Sequence, residues 1–279
     1  MSTPSSTLRS FVKMHGLGND FVIFDAREQP LALTTDMVRR LSHRQTGIGC
    51  DQLIVMEAAP DDGSKADVFM RIYNADGSEV AACGNATRCV ASLVGREAVR
   101  IRTKADLLTA SLEAGTATVD MGVPRFDWQD IPLSMPMDTL TMPVGWELLG
   151  APSAANVGNP HVIFFVEDVT KVDLARLGPL IERDPLFPER VNVNVAQIVD
   201  RNELKLRVWE RGAGLTLSCG TGACATVAAA VRRRLTERRV TVHLPGGVLN
   251  IEITGANRIL MGGPVATAFT GTVDLAAYV

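Results

Sequence analysis

Short apolar stretches rich in β-branched residues recur along the chain, and they follow the same order twice. An apolar strand opens each series, FVIFDA at 21–26 in the first copy and HVIFFVED at 161–168 in the second. Valine- and isoleucine-rich segments that partly alternate with polar positions predict further strands. Each copy also contains one helical stretch and, later, an alanine-rich helix. These helices are predicted at 34–44 and 86–98 in the first copy, and at 174–184 and 222–235 in the second.

Short motifs repeat at a nearly constant offset, which indicates an internal duplication. GNDFVIF at 18–24 reappears as GNPHVIF at 158–164, an offset of 140. CGNATRC at 83–89 is echoed by CGTGACA at 219–225, an offset of 136. Met121 and Met261 are again 140 residues apart. Motifs that keep both order and spacing predict two copies of one structural unit.

The repeated pattern predicts an α+β fold with two pseudo-symmetric domains, each with about eight short, mostly antiparallel strands and one long central helix. We expect a flexible tail at 1–9, a first domain at 10–123 plus 267–279, and a second domain at 124–266. The proline-rich stretch at 124–143 is interpreted as the linker region. The final segment, 265–279, is expected to form a strand that returns to the sheet of the first copy.

Composition changes this picture little, but it excludes several classes of protein. The chain has 279 residues, a formal net charge of −3 and 46% hydrophobic residues, which is typical of a soluble globular protein. No apolar run is long enough to span a membrane, and the near-neutral charge gives no reason to expect a nucleic-acid partner. A polar N-terminus and an odd number of cysteines, five, favour a reducing compartment, so we expect a cytoplasmic protein.

Two of the cysteines occupy equivalent positions in the two copies. Cys83 and Cys219 each precede a glycine and open an alanine-rich helix. Backbone N–H groups at a helix start lack partners within the helix, carry the positive end of the helix dipole and can bind a carboxylate. The same field favours thiolate over thiol. Gly84 and Gly220 let the backbone approach a ligand closely.

A pair of such sites suits one class of reaction. Related by the pseudo-twofold axis of a duplication, the two sites are expected to face each other across a cleft. One thiolate would remove a proton from a carbon next to a carboxylate, and the other thiol would deliver a proton to the opposite face. The helix starts would stabilise the charge that moves into the carboxylate. The predicted outcome is inversion of a stereocentre without a cofactor.

Other uses of the cysteines are less well supported by the spacing. Cys83/Cys89 and Cys219/Cys224 are six and five residues apart, which does not match the cysteine pairs of structural zinc sites, so we expect no metal. Cys89 and Cys224 lie inside the alanine-rich helices and are predicted to be buried apolar residues. Cys50 is assigned no role. A Cys83–Cys219 disulfide remains an alternative as an oxidised, inactive form.

Several motifs together resemble one family, the diaminopimelate epimerases. Besides the two cysteine motifs they are KMHGLGNDF at 13–21, TGIGCDQL at 46–53, NADGSE at 74–79, GNPH at 158–161, ERVNV at 189–193 and ERGAG at 210–214. The resemblance implies two domains of strands wrapped round a central helix. It also implies a cofactor-independent isomerase that interconverts LL- and meso-2,6-diaminopimelate in bacterial lysine and peptidoglycan-precursor synthesis. Family members are commonly dimers, so the resemblance implies a homodimer.

The resemblance also assigns roles to particular residues. It implies that Cys83 and Cys219 are the two catalytic thiols, and that Gly84 with Asn85 and Gly220 with Thr221 form the amide cradles. It implies that His161 and Glu210 tune thiol protonation. The residues implied to contact substrate are Asn19, Gln52, Asn74, Asn159, Asn192, Glu210 and Arg211. Arg211 suits a distal carboxylate and Glu210 an ammonium group.

Two departures and two rival functions complete the prediction. Ala86 replaces a glycine that is usual in the family, and Leu215 replaces a glutamate, which puts any role of that carboxylate in doubt. Another two-cysteine amino-acid racemase, of the proline type, is the alternative enzyme. From a different class, a small-molecule binding protein or redox sensor would use the cysteines only for oxidation.

Overall fold

A computed structural model describes residues 7–81, 83–113 and 116–279, and the chain divides into two compact units. The first half comprises Met1–Val119 with Pro264–Val279, and the second half comprises Asp120–Gly263. The predicted tail lies outside the described residues as far as residue 6, whereas Leu8 and Arg9 already belong to a strand. No helix in the described part of the chain is long and apolar enough to cross a membrane.

The first half contains two α-helices, α1 (Thr35–Ser42) and α2 (Gly84–Val94). Its first eight strands are β1 (Leu8–Gly16), β2 (Asn19–Ala26), β3 (Gln52–Glu57), β4 (Val68–Asn74), β5 (Glu79–Val80), β6 (Ala98–Arg102), β7 (Leu107–Glu113) and β8 (Thr116–Asp120). Strand β1 is antiparallel to β2, β2 is parallel to β3, and β3 is antiparallel to β4. Strand β4 then pairs with β5 antiparallel and with β6 parallel, and β6 is antiparallel to β7.

The second half contains α3 (Leu174–Glu182) and α4 (Gly220–Arg232). Its strands are β9 (Gly145–Trp146), β10 (Leu149–Gly150), β11 (Ser153–Asn156), β12 (Pro160–Phe165), β13 (Asn192–Asp200), β14 (Glu203–Glu210), β15 (Gly214–Thr216), β16 (Arg239–Leu244), β17 (Gly247–Ile253) and β18 (Ile259–Gly263). From β11 to β17 the pairings repeat those of β1 to β7, including the two parallel ones, β12 with β13 and β14 with β16. The predicted α+β fold with duplicated topology is therefore confirmed.

The last segment of the chain returns to the first half, as predicted. Strand β19 (Ala266–Asp274) runs antiparallel to β1, with Leu8 opposite Asp274 and His15 opposite Ala266. A short 3₁₀ turn at Leu275–Tyr278 follows it. The C-terminal strand thus completes the sheet that the N-terminal strand begins.

Helix α4 has the sequence of a central helix rather than a surface helix. Its residues from Gly222 to Ala230 are all buried, so the helix is enclosed on every side. Small side chains allow close packing, and α4 lies against β11, β12 and β17 of its own half. By contrast α1 is amphipathic: Thr34 caps it by accepting from the Met37 N–H at 3.2 Å, and Met37, Val38 and Leu41 form its buried side.

The interpretation of 124–143 as a linker was wrong. Ile131, Leu133 and Met142 are 1%, 4% and 0% exposed, and they belong to the hydrophobic core of the second half. The prolines interrupt regular structure in this stretch, but the apolar residues between them still bury their side chains. A segment without strands or helices is therefore part of the second half's core.

Candidate active site

In the first half, three of the amide residues lie at one edge of the sheet. Asn19 begins β2 and Gln52 begins β3, and these strands are parallel. Asn74 ends the antiparallel neighbour β4, directly opposite Gln52. Since parallel strands start at the same edge, and an antiparallel neighbour ends there, these amide groups are brought together.

The second half repeats this placement. Asn159 directly precedes β12, Asn192 begins β13, and Glu210 ends β14. His161 is the Cα partner of Asn192 in the parallel pairing of β12 with β13. Glu210 is therefore the equivalent of Asn74, so this position carries an amide in the first half and a carboxylate in the second.

Glycine makes the turn before each of the two leading asparagines. Gly18 has a φ of 86° and Gly158 a φ of 106°. Side-chain-bearing residues rarely adopt this left-handed region, so glycine gives each turn its shape at little cost. The repeated GN dipeptide thus has a local structural cause in both halves.

Cys83 is the N-cap of α2, with an extended backbone at φ −151° and ψ 110°, and it is partly exposed. Its carbonyl accepts from the Thr87 N–H at 3.0 Å and from the Thr87 hydroxyl at 2.8 Å. Gly84 and Asn85, the first two residues of the helix, are buried. Their N–H groups belong to the first helical turn, whose donors have no acceptor within the helix.

A chain of side-chain hydrogen bonds connects Asn85 to the sheet edge. Asn85 donates to Asn19 Oδ1 at 3.3 Å, and Asn19 donates to Asp51 Oδ2 at 3.1 Å. Arg88, which is 0% exposed, donates to Asn85 Oδ1 at 3.0 Å. Because a carboxylate only accepts and a guanidinium only donates, the two ends of the chain determine the orientation of both amides.

Gln52 and Asn74 form a second pair in the first half. Gln52 donates to Asn74 Oδ1 at 3.1 Å, and Asn74 donates to Ser78 Oγ at 3.2 Å. The predicted contacts of this half therefore gather into two hydrogen-bonded groups at one sheet edge.

Cys219 is the N-cap of α4 and is only 3% exposed. Its sulfur accepts from the Gly222 N–H at 3.3 Å and lies 3.5 Å from the Thr221 hydroxyl. The thiol also donates a hydrogen bond to the Glu210 carboxylate. Glu210 is held in turn by the Thr216 hydroxyl, which donates to Oε1 at 2.6 Å.

The helix start favours thiolate at Cys219, but the surroundings of this thiol oppose that effect. Burial raises the pKa of this thiol well above its ordinary value, and the negative charge of Glu210 raises it further. The hydrogen bonds from Thr221 and Gly222 act in the opposite direction but do not prevail. The resting group is a protonated thiol with a carboxylate hydrogen-bonded to it, which is the arrangement of an acid and its base.

Asn192 and Arg211 have defined partners within the second half. The Asn192 amide donates to the Pro160 carbonyl at 2.9 Å and accepts from the Arg211 backbone N–H at 2.9 Å. Arg211 Nη1 donates to the Glu189 carbonyl at 2.9 Å. Asn192 therefore fixes the turn that carries Arg211, whatever else its amide contacts.

His161 is completely buried beneath this edge. Its Nδ1 lies 3.2 Å from Asn194 Oδ1, and its Nε2 lies 2.9 Å from Asn159 Oδ1. Burial lowers the pKa of His161 to about 4, and the positive charge of Arg211 acts in the same direction. His161 is therefore a neutral imidazole at pH 7.

The residues that contact the site residues without having been predicted from the sequence include Asp51, Arg88, Asn194 and Thr216. Of these four, one had a signal in the sequence. Asn194 could have been found, because it lies two positions after Asn192 in a valine-rich strand and so shares its face. A buried amide on such a strand needs hydrogen-bond partners and indicates a polar cluster. The other three carry no such local signal.

The chain is similar to known proteins over nearly its whole length. The family model described as diaminopimelate epimerase matches residues 11–126 and 153–267. A diaminopimelate epimerase of Erythrobacter litoralis is 57% identical over 270 residues, covering 96% of this chain and 98% of the relative. One of Zymomonas mobilis is 54% identical over 269 residues, covering 96% and 98%.

More distant solved structures share the fold. A hydroxyproline epimerase from Agrobacterium vitis, with bound trans-4-hydroxy-L-proline, has a TM-score of 0.68 at 15% identity and covers 96% of this chain and 92% of that one. A phenazine biosynthesis protein of the PhzF family from Enterococcus faecalis has a TM-score of 0.69 at 13% identity, covering 95% and 99%. At these identities the likeness shows a common fold and nothing about substrate.

Proposed function

The chain belongs to the diaminopimelate epimerase family, and we infer from this membership that it is an isomerase that interconverts LL- and meso-2,6-diaminopimelate. The observation that carries the proposal is the placement of the two cysteines. Each half sets one cysteine at the start of its central helix, immediately before a glycine. The polar residues implied to bind substrate gather at a sheet edge of the same half.

We propose that the reaction exchanges one proton at the α-carbon of the substrate. The thiolate of one cysteine takes the α-proton, so that the C–H bond breaks, an S–H bond forms and the electron pair moves toward the carboxylate. The other cysteine gives its thiol proton to the opposite face of the carbon, and a thiolate remains there. Cys83 donates and Cys219 accepts in one direction, and the roles reverse in the other.

Cys219 must lose its proton before it can act as the base. Glu210 accepts the hydrogen bond of this thiol, so it is the group in contact that can take the proton. Burial keeps Cys219 protonated at rest, and transfer of the thiol proton to the Glu210 carboxylate supplies the thiolate without releasing that proton to bulk water. The arrangement needs no bound cofactor or metal.

The amide and charged residues suit a substrate with two amino-acid ends. We propose that Gly84 with Asn85, and Gly220 with Thr221, hold the carboxylate at the reacting carbon through helix-start N–H groups. Arg211 is assigned to the distal carboxylate, and Glu210 is assigned to an ammonium group of the substrate. Asn19, Gln52, Asn74, Asn159 and Asn192 are proposed to complete the contacts.

Solvent deuterium entering the α-carbon of diaminopimelate tests this function. We expect exchange with both LL- and meso-diaminopimelate in D₂O, followed by mass spectrometry, and no exchange with L-proline. Exchange into proline but not diaminopimelate would indicate a proline-type racemase instead. No exchange into either, with intact folded protein, would contradict an α-carbon isomerase and favour a binding protein or redox sensor.

We further propose a cytoplasmic homodimer. Leu8 on β1 and Phe269 on β19 are 59% and 50% exposed, and these two strands are neighbours. Family membership is the ground for the dimer, and these two exposed side chains mark the strands that we expect to contribute to its interface. Light scattering should give twice the mass of the 30.0 kDa chain, whereas a single-chain mass at micromolar concentration would contradict the proposal.

A further inference from the structure

Three buried polar side chains of the second half replace three buried apolar side chains of the first. The correspondence follows from the repeat offsets and from the strand pairing, in which Ile23 faces Ile54 and Ile163 faces Asn194. All six residues are 0% exposed. The pairs are His161 with Phe21, Asn194 with Ile54, and Thr226 with Val90.

The replacement is informative because the fold does not require it. Phe21, Ile54 and Val90 fill the same places in the first half without any polar group. Burying polar groups costs free energy unless every one of them is hydrogen-bonded. Polar groups that occupy these three positions in one copy only therefore indicate a task that belongs to the site of that copy.

The orientation of the Asn194 amide is fixed by its partners. Asn194 Nδ2 donates to the Gly222 carbonyl at 2.9 Å and to the Thr226 hydroxyl at 2.9 Å. A backbone carbonyl can only accept, so turning the amide over would place two oxygens against each other. Asn194 Oδ1 must therefore face His161, and the Nδ1 that it meets at 3.2 Å must carry a hydrogen.

We propose that Asn194 is a positioning residue that holds His161 as the Nδ1–H tautomer and leaves the lone pair at Nε2, toward Asn159. The neutral state of the buried imidazole supports this assignment, because its pKa lies near 4 and only one nitrogen then carries a proton. Arg211 is the charged group that acts on this ring, and its charge opposes a second proton.

Two consequences follow for the neighbours of His161. The 2.9 Å contact at Nε2 is satisfied when Asn159 presents its N–H₂, since the oxygen and nitrogen of an amide exchange places by rotation. His161 is also tied to the thiol, because Gly222 accepts from Asn194 and donates to Cys219. The role of His161 in catalysis rests on the proposed function, whereas the assignment of its tautomer does not.

The tautomer can be measured without substrate. A long-range ¹H–¹⁵N spectrum of the full chain distinguishes Nδ1 from Nε2, and a His161→Gln variant assigns the signals among the four histidines. At pH 7 we expect protonated Nδ1 and unprotonated Nε2, unchanged down to about pH 5. A proton on Nε2, alone or together with Nδ1, would overturn the proposal. Lack of α-proton exchange would refute only the proposed function.

Asn194→Asp tests the positioning role, and Thr226→Val is its matched control. A carboxylate beside Nδ1 stabilises the imidazolium, so the His161 titration midpoint should rise to above about pH 5. Thr226→Val removes one acceptor of Asn194 and leaves the Gly222 carbonyl in place, so the tautomer and the titration midpoint of His161 should stay as they are.

An unmoved midpoint in folded Asn194→Asp, or a changed tautomer in Thr226→Val, would contradict the control of His161 by Asn194. If Asn194→Asp does not fold, the spectrum of the unmodified chain decides.

Discussion

The two halves share strand order, pairing and central helix, yet the surroundings of their two helix-start cysteines differ. Cys83 is partly exposed, whereas Cys219 is buried and donates to Glu210. The helix that Cys83 opens carries a buried cation, Arg88, at the position where α4 has Cys224. Duplication therefore preserved the backbone and the two thiols, and it did not preserve the charges around them.

This difference is the expected condition of an acid–base pair. Two identical thiols would have the same protonation, and a proton could not be given at one and taken at the other. Environments that push two titratable groups apart assign them opposite roles. Glu210 does this for Cys219, and the neutral Asn74 stands at the equivalent strand end in the first half.

The largest expected effect comes from removing either thiol. Cys83→Ala and Cys219→Ala should each reduce epimerisation by at least about 10²-fold to 10⁴-fold, the range for loss of a proton-transfer group. Turnover is followed by the interconversion of LL- and meso-diaminopimelate, and folding by circular dichroism. The losses should be similar despite the unequal environments, because one turnover needs both groups.

Cys50→Ala provides the control for this pair. Cys50 is 1% exposed in the core of the first half, where its sulfur lies 3.5 Å from the Ser42 hydroxyl. Its replacement should leave turnover near that of the unchanged protein. Wild-type turnover in either Cys83→Ala or Cys219→Ala would contradict the two-thiol mechanism. The difference between the two cysteine environments would then have no catalytic explanation.

A smaller loss of activity is expected when the second half is given the core of the first. His161→Phe, Asn194→Ile and Thr226→Val together copy Phe21, Ile54 and Val90. An apolar replacement of similar size for a buried polar cluster is often neutral or stabilising, so the variant should fold. Turnover should fall on the order of 10²-fold, since the imidazole near the site is lost.

Unchanged turnover in the triple variant would change the interpretation of the polar cluster. A folded triple variant with unchanged turnover would mean that the polar cluster serves packing alone. The matched measurement is the midpoint of urea unfolding, which separates lost activity from lost stability.

The sequence predicted the duplication and the helix starts, because these are written in short repeated motifs, whereas the amide residues were implied by the family resemblance and their position at the sheet edges was not predicted. GN before a strand and CG before a helix are local signals with local causes. The polar cluster is different, since His161 and Asn194 are 33 residues apart and meet only through the parallel pairing of β12 with β13. Predicting such contacts requires the register of the strand pairing, which a single sequence does not specify.

The resting protonation of Cys219 could not be predicted from the sequence, for a related reason. The helix start favours thiolate, but burial and Glu210 oppose it, and their strength depends on the folded environment. The stretch at 124–143 shows the same limit. Its prolines predict irregular structure correctly, and only packing shows that Ile131 and Met142 lie in a core.

The smallest expected effect concerns the residue after the leading asparagine, Asp20 in the first half and Pro160 in the second. Asp20 accepts from Lys13 at 2.5 Å and from Arg44 at 2.7 Å. Burial alone would raise the pKa of Asp20, but these hydrogen bonds and the charge of Lys13 hold it well below 3.8. A depressed pKa contributes stability that is present above the unfolded value and is lost as the pH falls through the folded one.

Asp20→Asn should therefore destabilise the protein by about 3 kcal/mol at pH 7, because Lys13 keeps a nearly buried charge without its carboxylate. The acid-side loss of stability below about pH 4 should also become shallower than in the unchanged chain. Urea unfolding at pH 7 and near pH 3.5 measures both.

The matched control is Asp25→Asn, whose pair with Arg27 has side chains 52% and 37% exposed and is expected to be worth about 0–1 kcal/mol. Equal costs for the two substitutions would show that the ion pair beside Asn19 stabilises the first half no more than an exposed ion pair does.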